Sequence, residues 1–181
     1  MNAADDDAPI SSMDDLLVPL LRACKPPAEF RVGTEAEKFG WLVDTREPLP
    51  FAGPRSVQSV LRQLTERFGW TEERERPEGE VISLRRDQSS VTLEPAGQLE
   101  LSAAPHASLH ETCREFRQHF SELHQVSDSM QIAWLSLGFH PFSRQADLPS
   151  VPKLRYAIME RYLPTRGERA LDMMRRTCTV Q

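Results

Sequence analysis

The sequence predicts an α+β fold in which an antiparallel sheet is combined with amphipathic helices. Three patterns point there. The segments "EVISL" and "SVTLEPAGQLELSA" alternate apolar and polar residues, as half-buried antiparallel strands do. "SVQSVLRQLTERFGW" and "SLHETCREFRQHFSELHQVSDSM" repeat apolar residues at helical spacing instead. A single near-continuous apolar run, "IAWLSLGF", reads as a strand buried on both faces.

Taken in order, "SSMDDLLVPLLRAC" is a helix that Ser11 or Ser12 can cap, with Asp14 and Asp15 in its first turn. Pro19 weakens its middle, and "KPPAEF" breaks the chain after it. "RVGTEAEKFGW", from Arg31 to Trp41, reads as a strand. The helix over "SVQSVLRQLTERFGW" carries the stripe Val57, Val60, Leu61 and Leu64, with Pro54 before it and Gly69 as its stop. "TEERERPEG" is a charged loop, and the two alternating strand segments follow it. After the long helix beyond Pro105 and the apolar strand, "HPFSRQADLPSVP" is a loop, while "KLRYAIMERYL" and "ERALDMMRRT" are short helices. "TCTVQ" alternates like a strand at the last residue, which suggests a sheet continuing beyond it. The expected organisation is a tail and helix over 1–27, then one domain over 28–181.

With 39% hydrophobic and 27% charged residues, the composition is that of a globular chain rather than a disordered one. A net charge of -5 and the lack of a basic, aromatic-interleaved stripe argue against nucleic acid. No apolar run reaches the ~20 residues of a membrane helix. "MNAADDDAPI" is acidic where a signal peptide is basic and then apolar, so a cytoplasmic protein is expected. Cys24, Cys113 and Cys178 form no CxxC pair and read as idle or buried thiols. His106 and His110 lack the surroundings of a zinc site, since "HASLHE" is not "HExxH".

Carboxylates stand out. On a strand, Glu35 and Glu37 share one face, together with Arg31, Phe39 and Trp41. If the hairpin turns at "PAG" with Gly97 at positive φ, Glu94 faces Gln98 and Thr92 faces Glu100. Val91, Leu93, Leu99 and Leu101 then form the core face, leaving Glu94 and Glu100 opposite. Four acids on one sheet face repel one another unless a hard cation such as Mg²⁺ neutralises them. From pattern alone, a solvated sheet face and a metal site both remain open.

Six ordered motifs go further: "RVGTEAEKFGW", "SVTLEPAGQLELSAAP", "LHETC", "GFHP", "PKLRYAIMERYLP" and "LDMMRRTCTVQ". Together they resemble the glutamate–cysteine ligases of the plant and proteobacterial type over most of Arg31 to Gln181. The resemblance implies a glutamine synthetase-like catalytic domain with helices on one side of the sheet and the site on its inner face. It implies ATP-dependent joining of the γ-carboxyl of L-glutamate to L-cysteine through an acyl phosphate, the first step of glutathione synthesis. Glu35 and Glu37 match the family's metal pair, and Glu94 and Glu100 are the hairpin's expected contribution to Mg²⁺. Arg155 and Tyr156 match the "RY" of the substrate pocket, with Arg176, Thr177, Thr179 and Gln181 in the matched "RTCTVQ". Expected partners are the small molecules L-glutamate, L-cysteine and ATP, with neither nucleic acid nor membrane; a homodimer is also considered.

Ala36, His140, Leu154 and Arg175 depart from the family pattern without removing a proposed ligand. The family's catalytic domain is more than twice this length, so an incomplete domain, inactive alone, is expected. Two alternatives stand beside this reading: a carboxylate–amine ligase with another amine acceptor, and a non-catalytic module that binds a partner through an open sheet edge.

Overall fold

A computed structural model describes residues 9–181. It divides into two compact units, the residues up to Arg31 and Val32–Gln181.

The first unit holds helix α1, Met13–Ala23. Ser12 caps it through a reciprocal box: its hydroxyl accepts from the Asp15 N–H, and the Asp15 carboxylate accepts from the Ser12 N–H. Pro19 lies inside the helix, and none of the helix residues is buried. Arg31 lies outside any strand and donates to the carbonyls of Phe30 and Ala28. It is therefore not part of the strand expected to carry it, which starts at Glu35.

The second unit is built on a seven-stranded sheet. Its strands are β1 (Glu35–Leu42), β2 (Glu47–Pro48), β3 (Thr71–Glu73), β4 (Ser83–Arg86), β5 (Ser89–Leu93), β6 (Leu99–Ser102) and β7 (Ile132–Leu135). The order is β2-β1-β6-β5-β4-β3, with β7 also on β1, and every pairing is antiparallel. The hairpin register follows the sequence expectation: Thr92 faces Glu100, Leu93 faces Leu99, and the Glu94 N–H donates to the Gln98 carbonyl. Gly97 takes φ 77° in the turn, a conformation that other residues adopt only with strain. Glu37 of β1 then faces Glu100 of β6, so both stand on one sheet face.

Helices α2 (Val57–Phe68) and α3 (Leu109–Ser127) cover the opposite face. Val57, Val60, Leu61 and Leu64 of α2 are fully buried, as are Leu84, Val91, Leu93 and Leu99 of the sheet. Burying each such side chain contributes about 1.5–3 kcal/mol, which fixes the face that the alternating strands present to the core. Gly40 is needed for a close approach: a Cβ there would lie 2.6 Å from Leu49 Cδ2.

Three expectations are corrected. "TEERERPEG" is not all loop, since Thr71–Glu73 pairs with β4 as strand β3. "EVISL" enters the sheet only from Ser83, with Val81 and Ile82 buried ahead of the strand. "IAWLSLGF" gives only the four residues of β7; beyond it Leu137 and Phe139 are exposed, and Phe139 makes only an isolated bridge to Thr177.

Helices α4 (Leu154–Tyr162) and α5 (Ala170–Arg176) follow. Their segment packs at the β5–β6 turn: the Val151 N–H donates to the Pro95 carbonyl, and Gln98 Nε2 donates to the Thr177 carbonyl at 2.9 Å. The final residues run along β1, with Val180 bridged to Ala36 and Glu35 and Gln181 exchanging both backbone hydrogen bonds.

Candidate active site

The sheet face away from α2 and α3 forms the floor of a cavity of about 560 Å³. Five glutamates line it: Glu35 and Glu37 from β1, Glu100 from β6, Glu94 from the turn and Glu75 from beyond β3. Lys153 and Arg155, at the start of α4, bring the opposing charge, and Gln181 closes one side. Strand alternation places Glu35, Glu37 and Glu100 together, and the tight turn adds Glu94.

Each carboxylate is held differently. Glu37 accepts from the Thr179 N–H at 2.9 Å and from its hydroxyl at 3.3 Å. Glu100 accepts from the Thr92 and Ser102 hydroxyls through Oε1, both at 2.9 Å. Glu94 stands 3.6 Å from the Arg155 guanidinium, which is mostly exposed, so that ion pair is weak. Glu75 accepts from the Leu154 N–H at 3.0 Å, placing a negative charge at the N-terminus of α4, where the helix dipole favours it.

Burial pushes the Glu37 carboxyl above its usual range, and repulsion from Glu94 and Glu100 adds to that against the opposing Thr179 bonds. Glu94 is raised for the same reasons, burial first and Glu100 next, with Lys153 and Arg155 pulling it back. Lys153 is shifted down by burial and then by Arg155. Its ammonium donates to the Leu93 carbonyl at 2.7 Å, beside Glu94. The floor thus carries more negative charge than its two cations offset. Among the described residues, no three acids, histidines or cysteines are gathered closely enough to hold a metal as they stand. The donor set is nonetheless that of a hard cation, since carboxylate oxygens on rigid strands pay a like-charge cost that a divalent ion relieves.

The cavity unites Glu35, Glu37, Glu94, Glu100, Arg155 and Gln181 among the residues singled out in the sequence. Tyr156, Arg176, Thr177 and Thr179 are not part of its lining. Tyr156 is buried; its hydroxyl donates to the Leu93 carbonyl at 2.8 Å and accepts from Arg155 at 2.9 Å, so it positions that arginine. Arg176 pairs with Asp172 at 3.3 Å and lies over the Phe139 ring. The Thr177 hydroxyl donates to the Met173 carbonyl, and Thr179 acts through Glu37.

Lys153 and Glu75 are the residues that the sequence reading missed. Lys153 sits in "PKLRY", two positions before Arg155, so that motif carried its signal. Glu75 lies in the charged "TEERERPEG" stretch, where no period separates it from its neighbours.

The sheet, its acid floor and its basic rim define an α+β domain with a charged cavity on one sheet face. The model of glutamate-cysteine ligase family 2 matches residues 31–181, and the chain belongs to that family. Its fold agrees with the glutamine synthetase-like architecture that the resemblance implied. It is 44% identical over 168 residues to the chloroplastic glutamate–cysteine ligase B of Oryza sativa subsp. japonica, covering 93% of this chain and 33% of that protein. The chloroplastic enzyme of Arabidopsis thaliana is 42% identical over 168 residues, with 93% and 31% covered. That of Medicago truncatula is 40% identical over 167 residues, with 92% and 32% covered. The chain spans about a third of the length of the curated relatives it matches. These relatives correct the cytoplasmic expectation, for all three are chloroplastic proteins. An acidic first stretch and the lack of a long apolar run do not encode a compartment.

Proposed function

We propose that this domain is the acid-floored part of a ligase that joins the γ-carboxyl of L-glutamate to the amine of L-cysteine with cleavage of ATP. The observation that carries the reading is the meeting of Glu35, Glu37, Glu94 and Glu100 with Lys153 and Arg155 on one cavity. In this reaction a γ-carboxylate oxygen of glutamate attacks the terminal phosphorus of ATP, and ADP leaves. The cysteine amine then attacks the carbonyl carbon of the acyl phosphate, and phosphate and a proton are released.

Such chemistry depends mainly on positioning and charge neutralisation. Arg155 offers a planar fork to a carboxylate and Lys153 a point charge to carboxylate or phosphoryl oxygens. Tyr156 orients Arg155, and Thr179 fixes the Glu37 carboxylate. Glu35, Glu37, Glu94 and Glu100 would hold Mg²⁺, which when bound supplies positive charge beside the phosphates. Gln181 offers an amide at the cavity wall.

The test is phosphate release from ATP by the full-length protein with glutamate, with and without cysteine. Cysteine-dependent release is expected, and Glu37→Gln should lower it by roughly 10²–10³-fold, as loss of a charge-stabilising group does. Release without cysteine dependence, or full activity in a Glu35→Gln, Glu37→Gln protein, would overturn the reading.

A further inference from the structure

Of the five glutamates around the cavity, Glu75 alone lies outside the six motifs that carry the family resemblance. It stands in "TEERERPEG", between the first two of them. Its carboxylate nevertheless reaches Leu154, 79 positions further on, and accepts from that N–H at 3.0 Å.

Why α4 needs this contact follows from its own sequence. Lys153 is the N-cap residue, and its side chain makes no capping hydrogen bond. A lysine has only donors to offer, whereas the orphan N–H groups of a first helical turn need an acceptor. The Lys153 ammonium crosses instead to the Leu93 carbonyl at 2.7 Å. The Tyr156 N–H turns back to the Lys153 carbonyl at 3.0 Å, and the Leu154 N–H is taken by Glu75. A helix of nine residues is too short to hold its shape unaided. Leu154 is 57% exposed, so apolar packing does not fasten this turn.

The first turn of α4 is thus tied at two ends. On the sheet side, the Lys153 ammonium and the Tyr156 hydroxyl both donate to the Leu93 carbonyl. On the other side, Glu75 holds the backbone from the connection between β3 and β4. Arg155 lies between these ties. Its guanidinium is mostly exposed and meets only the Tyr156 hydroxyl and Glu94, so its place beside the acids depends on where the helix backbone is held.

We propose that Glu75 is a positioning residue: it caps α4 from the β3–β4 connection and thereby sets Lys153 and Arg155 for the carboxylate of the amino-acid substrate. This assignment rests on the ligase reading given above, which it deepens by giving a role to a residue that does not meet the reacting atoms.

The test combines steady-state kinetics with hydrogen–deuterium exchange over residues 153–157, on the full-length protein and its Glu75→Ala and Glu75→Gln variants. Loss of the cap in Glu75→Ala should speed deuterium uptake in this turn and raise KM for glutamate, each by roughly 2- to 30-fold, with kcat nearly unchanged. Glu75→Gln keeps an acceptor oxygen and should stay near wild type in both. Glu75 is exposed, so the folding of neither variant is at stake. An unchanged KM in Glu75→Ala, a raised KM without faster uptake, or a Glu75→Gln protein as impaired as Glu75→Ala overturns the proposal. Should uptake respond as described while the wild type shows no glutamate-dependent nucleotide cleavage, the ligase reading fails and the cap stands.

Discussion

Lys38 tests the electrostatics of the sheet most sharply. It lies on the core face of β1, fully buried, where alternation would place an apolar residue. Its ammonium donates to the Ala36 carbonyl at 2.8 Å and stands 5.3 Å from the Phe120 ring of α3. Burial lowers its pKa from 10.5 to about 8, against smaller attractions that include those of Glu100 and Glu37. The difference of about 2.5 units, at ~1.4 kcal/mol each, makes the charged form cost the fold about 3 kcal/mol at pH 7. Because the folded pKa is depressed for a cation, this cost is present in full below pH 8. It fades as pH rises towards 10.5, where lysine in the unfolded chain also loses its proton. Lys38→Met removes the charge and keeps the length, losing one hydrogen bond and a ring contact worth about 1 kcal/mol together. The variant should therefore be about 2 kcal/mol more stable than wild type in urea unfolding at pH 7, and the advantage should vanish by about pH 10.5. Comparing the two proteins cancels titrations that do not involve Lys38, such as that of the Tyr156 phenol, pushed up to about 12. A less stable variant at pH 7, or a difference that does not change with pH, would refute the reasoning.

Other substitutions probe separate parts of the account. Gly40→Ala should cost about 1–3 kcal/mol in the same unfolding assay, because its Cβ meets buried Leu49 at 2.6 Å. Arg175→Met should cost about 2–3 kcal/mol, since the buried guanidinium donates to Ser150, to the carbonyls of Leu148 and Pro149, and to Glu160. His119→Leu should stabilise by about 1–2 kcal/mol: both ring nitrogens are buried without partners, and burial, with Lys38 and Arg86 nearby, lowers the ring's pKa to about 3. Ser108→Ala should cost about 1 kcal/mol, measured by thermal unfolding, through loss of the capping box at α3.

The β5–β6 hairpin was legible in the sequence because two constraints agree there. The period-two pattern assigns the faces, and Gly97 in a short turn sets the register, so Thr92 opposite Glu100 follows without knowledge of any other element. The shared face of Glu35 and Glu37 was equally readable, but the strand's start was not. Residues 31–34 alternate like a strand, yet Val32 instead makes an isolated bridge to His106. The run containing β7 misled for a related reason: apolar content does not by itself report burial, and Leu137 and Phe139 stay about half exposed. The basic rim of the cavity was half visible, with Arg155 named and Lys153 passed over. Lys153 reaches Leu93 across 60 positions of sequence, a contact with no local signature. Lys38 and His119 show the limit of hydropathy patterns, since both occupy core positions that a pattern would fill with apolar side chains.

The central claim, that the acid floor serves phosphorylation of a carboxylate, is tested most directly by isotope transfer. L-glutamate carrying ¹⁸O in its γ-carboxyl is incubated with ATP, Mg²⁺, L-cysteine and the full-length protein, and the mass of the released phosphate is measured. The account predicts one ¹⁸O atom in each phosphate, because the carboxylate oxygen that attacks phosphorus leaves with it. Phosphate released without label, while the dipeptide product forms, would contradict it.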